Sequence, residues 1–218
     1  MKKITLLHTV ASVYGSFRSQ LEAAFDEEIE VNSLVDEFLV TNARKKGFFP
    51  PENRKKLLLD LMSAEAEGAD VIIVTCSSLS PFIEEYRSML SIPVVTIDRQ
   101  MCRDAALSGK RIAVLATAPT TIEPTTKGIQ READQLGKEV EIISLLDEEA
   151  MNLLKKGDVK GHDERLAELA VKAGNVDVIV LAQASMATAA SLCSERTGRK
   201  ILTSPGSCIA EAKALLSR

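Results

Sequence analysis

Four short stretches place reactive or hydrogen-bonding side chains directly after apolar runs. They are His8-Thr9, Cys76-Ser77-Ser78, Thr117-Ala118-Pro119-Thr120 and Gln183-Ala184-Ser185-Met186. Cys76 is the residue among them that could act as a nucleophile or shuttle a proton as thiol and thiolate. It is followed by a helix expected to begin near Pro81, and the positive end of a helix dipole favours a thiolate. His8 could orient or deprotonate that thiol, or serve as a base itself. Ser and Thr hydroxyls beside backbone N–H groups at helix starts suit a small anion such as a carboxylate. Helix capping alone would explain any one of these hydroxyls; four such ends together point to a ligand. Cys102, Cys193 and Cys208 lie among apolar neighbours and read as packing residues.

The elements that must position these residues read as alternating strands and helices. Val71–Val74 and Val178–Leu181 are continuous Val/Ile/Leu runs without period-2 alternation. Such runs fit strands covered on both faces, as in a parallel sheet. Helices are expected over residues 51–68, 120–136 and 162–173, each ended by or just before a glycine, with a short closing helix over 209–218 and a strand over 138–145. The order also repeats. Ile4-Thr5-Leu6-Leu7-His8-Thr9 matches Ile112-Ala113-Val114-Leu115-Ala116-Thr117, Asp70 falls on Asp177, and Cys76 falls on Gln183. The chain is a duplicated half of roughly 107 residues. The expected fold class is therefore α/β, with two pseudo-symmetric lobes. Each lobe is a parallel sheet flanked by helices, and the active-site cleft is expected between them. The expected lobes are residues 1–97 with 207–218, and residues 98–206. Ligands of open parallel sheets bind at the carboxyl ends of strands, which is where the four stretches fall.

Composition narrows the function. The 218 residues are 45% hydrophobic and 27% charged, as in a globular protein rather than a disordered one. A net charge of −4 and 4% aromatic residues argue against nucleic-acid binding. Two histidines and four cysteines without a C-x-x-C pair leave few ligands for a metal site, and none is expected. Reduced thiols imply a cytoplasmic protein. No apolar run approaches the ~20 residues of a membrane span, so no membrane partner is expected. The opening MKKITLLH has the look of a leader, but its pattern recurs internally at Lys110–Thr117, so a first strand is expected there. G-x-G-x-x-G, P-loop, H-E-x-x-H and G-x-S-x-G motifs are all missing from the sequence.

The paired loops Thr75-Cys76-Ser77-Ser78 and Leu181-Ala182-Gln183-Ala184-Ser185, together with Leu115-Ala116-Thr117-Ala118-Pro119-Thr120, resemble the aspartate/glutamate/hydantoin racemase superfamily over nearly the whole chain. The resemblance implies two α/β lobes, no cofactor and a small carboxylate substrate. Family members often form homodimers, so a homodimer is a further expectation. It also implies two cysteines that face the substrate's α-carbon from opposite sides. Carried over, Cys76 takes the first acid/base position with His8 near it. Thr9, Ser77, Ser78, Thr117, Thr120, Gln183 and Ser185 take substrate-binding positions. The second cysteine of the pattern is Gln183 here, and an amide cannot carry a proton back and forth near neutral pH. Three readings stay open: a racemase- or isomerase-like enzyme, a one-thiol decarboxylase or lyase, and a non-catalytic carboxylate-binding relative.

Overall fold

The computed structural model describes residues 1–10 and 14–217. The chain divides into two compact units, Met1–Ile97 with Cys208–Arg218, and Asp98–Ser207. Unit 1 contains β1 (Lys2–His8), α1 (Tyr14–Ala24), β2 (Ile29–Val35), α2 (Phe38–Lys46), α3 (Pro51–Ala66), β3 (Val71–Val74), α4 (Ser80–Tyr86) and β4 (Val94–Thr96). Unit 2 contains α5 (Arg99–Ser108), β5 (Arg111–Ala116), α6 (Pro119–Gln135), β6 (Glu141–Leu146), α7 (Glu148–Lys155), α8 (Val159–Lys172), β7 (Val178–Leu181), α9 (Ala190–Thr197) and β8 (Lys200–Thr203). A last helix, α10 (Ser204–Leu216), follows β8.

Each unit holds a four-stranded, all-parallel sheet flanked by helices, in the order β2-β1-β3-β4 and β6-β5-β7-β8. The registers match as well. Leu7 pairs with Val74 in the first sheet and Leu115 with Leu181 in the second. In this order the chain runs outward in opposite directions from the central pair. The crevice at the carboxyl ends of β1/β3, and of β5/β7, is therefore the topological switch point of each sheet.

The apolar runs are continuous because both faces of the sheet are covered. In unit 2, Ala113, Leu115, Ile179 and Leu181 join the core under α8 and α9, whereas Ile112, Val114, Val178 and Val180 join the one under α5 and α6. Successive residues of one strand thus fill two different cores. In unit 1, Leu57, Leu61 and Ala64 of α3 bury one helical face against Leu7, Ile72 and Val74. Burial of each such side chain contributes about 1.5–3 kcal/mol. Cys102, Cys193 and Cys208 are all buried, which fits packing roles.

Some expected boundaries differ, and the helix expected over 162–173 runs from Val159 to Lys172. The closing helix starts at Ser204 rather than 209, because Pro205 sits in a first helical turn, where its missing N–H costs nothing. The strand expected over 138–145 starts at Glu141, as the edge strand of its sheet. Cys76 is followed by a single 3-10 turn, Ser77–Leu79, and then by the seven-residue α4. The helix expected near Pro81 begins at Ser80.

The duplication extends to side chains that open the central strands. Asp70 Oδ2 accepts from the Lys3 N–H at 2.7 Å, and Asp177 Oδ2 accepts from the Lys110 and Arg111 N–H groups at 2.7 and 2.8 Å. Those backbone donors hold the Asp177 carboxyl below its usual range. Gly109 leaves room for this contact, since a Cβ there would lie 2.2 Å from Asp177 Cβ. Gly109→Ala is expected to push Asp177 off the β5 start and lower stability by about 1–3 kcal/mol. Urea unfolding of the variant against the parent checks this; an unchanged midpoint would mean that the carboxylate bridge contributes nothing.

Candidate active site

The end of β1 carries His8 and Thr9, both buried, and the end of β3 leads through Thr75 to Cys76. Thr75 N–H donates to Leu7 O at 3.0 Å, which continues the ladder one step past Val74 and sets Thr75 beside the end of β1. The Thr75 hydroxyl donates to the same Leu7 O at 3.2 Å. Its oxygen is then the acceptor for His8 Nδ1 at 2.8 Å. Burial lowers the pKa of His8 and so favours its neutral ring. The bond seen for Nδ1 thus goes to the neighbour of Cys76 and not to Cys76. Unit 2 places Ala116 and Ala182 at the two equivalent positions. The fold therefore does not require a polar pair there.

Cys76 is half-buried and stands at the N-cap position of the 3-10 turn, with Ser77 half-buried and Ser78 exposed beside it. In unit 2, Thr117 is buried at the end of β5, Thr120 is exposed in the first turn of α6, and Gln183 and Ser185 follow β7. Gln183 Oε1 accepts from the Thr117 N–H at 2.7 Å and from its hydroxyl at 3.0 Å. The cap positions of these turns are Cys76, Ala118 and Gln183, and none makes a side-chain cap bond. The nearby hydroxyls are thus not consumed by capping. The structure gathers His8, Thr9, Cys76, Ser77 and Ser78 at the switch point of the first sheet. Thr117, Thr120, Gln183 and Ser185 gather at that of the second.

Several neighbours escaped the sequence reading. Asp36, just after β2, donates its N–H to His8 O at 2.8 Å, and Asp147, just after β6, does the same to Ala116 O at 3.0 Å. Each carboxylate then pairs with a cation one element away: Asp36 with Lys56 of α3 at 2.6 Å, and Asp147 with Arg165 of α8 at 2.9 Å. Asp147 also caps α7 by accepting from Ala150 N–H. Following the repeat into β2 and β6 finds this pair, because Val35-Asp36 and Leu146-Asp147 hold the same place. Unit 1 adds a second carboxyl, Asp60, which also pairs with Lys56 and hydrogen-bonds Asp36. The Phe49 ring of the 47–51 loop stacks on Phe82 of α4 at 4.1 Å, which makes it a packing residue. His162 is buried in the first turn of α8 and bonds Asp163 at 2.7 Å.

Each four-stranded parallel sheet thus presents polar residues at its switch point, where open α/β sheets bind their ligands. The family model for Asp/Glu/hydantoin racemases matches residues 11–212, and the chain belongs to that family. Among solved structures it is similar to an aspartate racemase homologue from Pyrococcus horikoshii, with 13% identity, full coverage of both chains and a TM-score of 0.74. It is also similar to an allantoin racemase from Klebsiella pneumoniae (15% identity, 100% of this chain and 88% of that chain, TM-score 0.71). A glutamate racemase from Bacillus anthracis is a third relative (13% identity, 99% and 82%, TM-score 0.69). At these identities the likeness establishes the fold. No curated protein matches the chain in sequence. Among the described residues, no helix is long and apolar enough to cross a membrane.

Proposed function

We propose that this chain is a cofactor-independent, racemase-like isomerase. It would move a proton at the carbon α to a carboxylate or carbonyl of a small amino-acid-, dicarboxylate- or hydantoin-like molecule. Cys76 is the acid/base: its thiolate takes the α-proton, leaving the electron pair delocalised onto the adjoining carbonyl, and the thiol so formed returns a proton to that carbon. The observation that carries this reading is the placement of Cys76. It is the half-buried thiol, at the switch point of its sheet, while the other three cysteines are buried. Thr9, Ser77 and Ser78 in unit 1, and Thr117, Thr120, Gln183 and Ser185 in unit 2, are the proposed substrate-binding residues. Neutral His8 fixes the strand end through Thr75 and is the proposed partner of the thiol.

One observation favours a second reading. Gln183 holds the position that mirrors Cys76, and an amide cannot supply the second proton. A one-thiol decarboxylase would need only Cys76, to protonate the carbanion left when carbon dioxide departs. Incubation in deuterated water separates the two. Aspartate, glutamate, allantoin, hydantoins and substituted malonates are followed by proton NMR and by carbon dioxide release. The racemase-like reading expects the α-proton signal of unreacted substrate to disappear with no carbon dioxide formed. Carbon dioxide with label only in the product establishes the decarboxylase instead, and no chemistry with any of them overturns both.

A further inference from the structure

Gln183 and Thr117 form the tightest polar contact at the second switch point. A backbone N–H can only donate, so the Gln183 atom 2.7 Å from Thr117 N is necessarily the amide oxygen. Exchanging Oε1 and Nε2 would set two donors against each other, so the orientation of the amide is fixed by the chain itself. The Thr117 hydroxyl, at 3.0 Å, saturates the same oxygen. That leaves the amide nitrogen as the available end, and among the described residues Nε2 has no partner. Both anchors are firm: Thr117 is buried at the end of β5, and Gln183 follows directly on the β7 strand paired with it.

We infer that Gln183 is a specificity-determining residue whose Nε2–H2 group, locked in place by Thr117, donates to an acceptor oxygen of the substrate. The inference rests on the acid–base reading only in taking that ligand to be the substrate. A group that only donates accepts a carboxylate or a ring carbonyl and rejects an ammonium, which has no lone pair to offer. The substrate class narrows accordingly. The molecule bound at this switch point carries an acceptor oxygen there, as a dicarboxylate or a hydantoin-type ring does, and a positive charge is excluded from that point. The position where family members place a second thiol has become a recognition point.

Gln183→Glu tests this with little change of shape. A carboxylate satisfies Thr117 as well as the amide oxygen does, but it offers an acceptor where the amide offers a donor. In the ¹⁵N-labelled protein, the Nε2–H2 signals of Gln183 are identified by their loss in Gln183→Glu. Malonate and hydantoin are then titrated as probes, with ethylenediamine as the cationic control. The expected result is that malonate or hydantoin moves those signals and ethylenediamine does not. Malonate should bind Gln183→Glu at least tenfold more weakly. Side-chain amide signals that stay in place while others shift, spectra that do not change with either probe, or equal affinity in the variant would each overturn the inference. Turnover is not needed for this readout. A responding Gln183 amide without Cys76-dependent exchange removes the acid–base reading alone; the opposite outcome removes the inference alone.

Discussion

Replacement of Cys76 by alanine is expected to lower exchange of the substrate's α-proton by roughly 10²–10⁴-fold, the usual contribution of a positioned acid/base group. Cys76→Ser is expected to fall as far, because a hydroxyl is too weak an acid to exchange protons in the same way. Neither change should unfold the protein. Cys76 is half-buried beside the unit 1 core rather than inside it, so a loss near 1 kcal/mol or less is expected. Chemical modification gives an independent measure. Burial pushes the Cys193 thiol up to about 11 and raises that of Cys102 further, and Cys208 is fully buried in α10. Iodoacetamide should therefore take up about one equivalent in the native protein, at Cys76, and the Cys76→Ala variant should take up almost none. Peptide mass mapping after brief alkylation checks the site, and the NMR exchange assay checks the rate. Exchange that survives in Cys76→Ala would sink the thiol mechanism while leaving the fold and the family untouched.

The parts of this molecule that were legible in the sequence are those that local pattern controls. Val71–Val74 and Val178–Leu181 announced their own boundaries, because a strand buried on both faces leaves no polar position to blur its ends. The duplication followed from the same runs, and with it the correspondence of Cys76 with Gln183. Contacts between distant elements were not legible. Nothing in the spacing of Asp36 and Lys56, one after a strand and the other on a helix beyond an intervening helix, signals a 2.6 Å ion pair. The bond from His8 to Thr75 joins two strand ends 67 residues apart, and only the strand register brings them together. The lock of Thr117 on Gln183 has the same origin. Helix starts were misjudged where two local rules compete. Ser204-Pro205-Gly206 reads as a turn from its residue types, yet the same proline is well placed in the first turn of α10.

Substitution of Asp60 by asparagine is expected to stabilise the protein at pH 8 and to change little at about pH 3.5. Asp60 and Asp36 both pair with Lys56 and hydrogen-bond each other, and both carboxyls are largely buried. Two carboxylates around one ammonium leave a buried charge uncompensated. Burial first, and then the neighbouring Asp36, raise Asp60 to about 6 in spite of Lys56. Burial opposes the charge on Asp36 as well, but hydrogen bonds from Lys56 and Asp60 outweigh it and hold that carboxyl below the usual range. The two groups have opposite linkage. For Asp60 the folded value lies above the unfolded value of ~3.9, so its favourable contribution is complete at acid pH and is lost as pH rises toward 6. For Asp36 the contribution is present above the unfolded value and disappears as pH falls through its lowered folded value. The cluster is therefore most stabilising near about pH 4, where most of the Asp60 contribution remains and that of Asp36 is only beginning to be lost. Asparagine keeps the neutral hydrogen-bonding form at every pH. Unit 2 shows that the fold accepts a single ion pair here: Arg165 pairs with Asp147, and four residues on from Arg165, where Asp60 stands relative to Lys56, it carries the buried Leu169. The rise of Asp60 to about 6 sets an upper limit that screening around the partly exposed Lys56 reduces to about 1–2 kcal/mol. That corresponds to roughly 2–4 °C in Tm for each kcal/mol in a chain of this length. Thermal unfolding of the parent and Asp60→Asn between about pH 3.5 and 8.5 measures it. Parallel curves would show that Asp60 titrates alike in the folded and unfolded chain, and an Asp60→Asn protein less stable at pH 8 would show that the three charges together hold α3 to the end of β2.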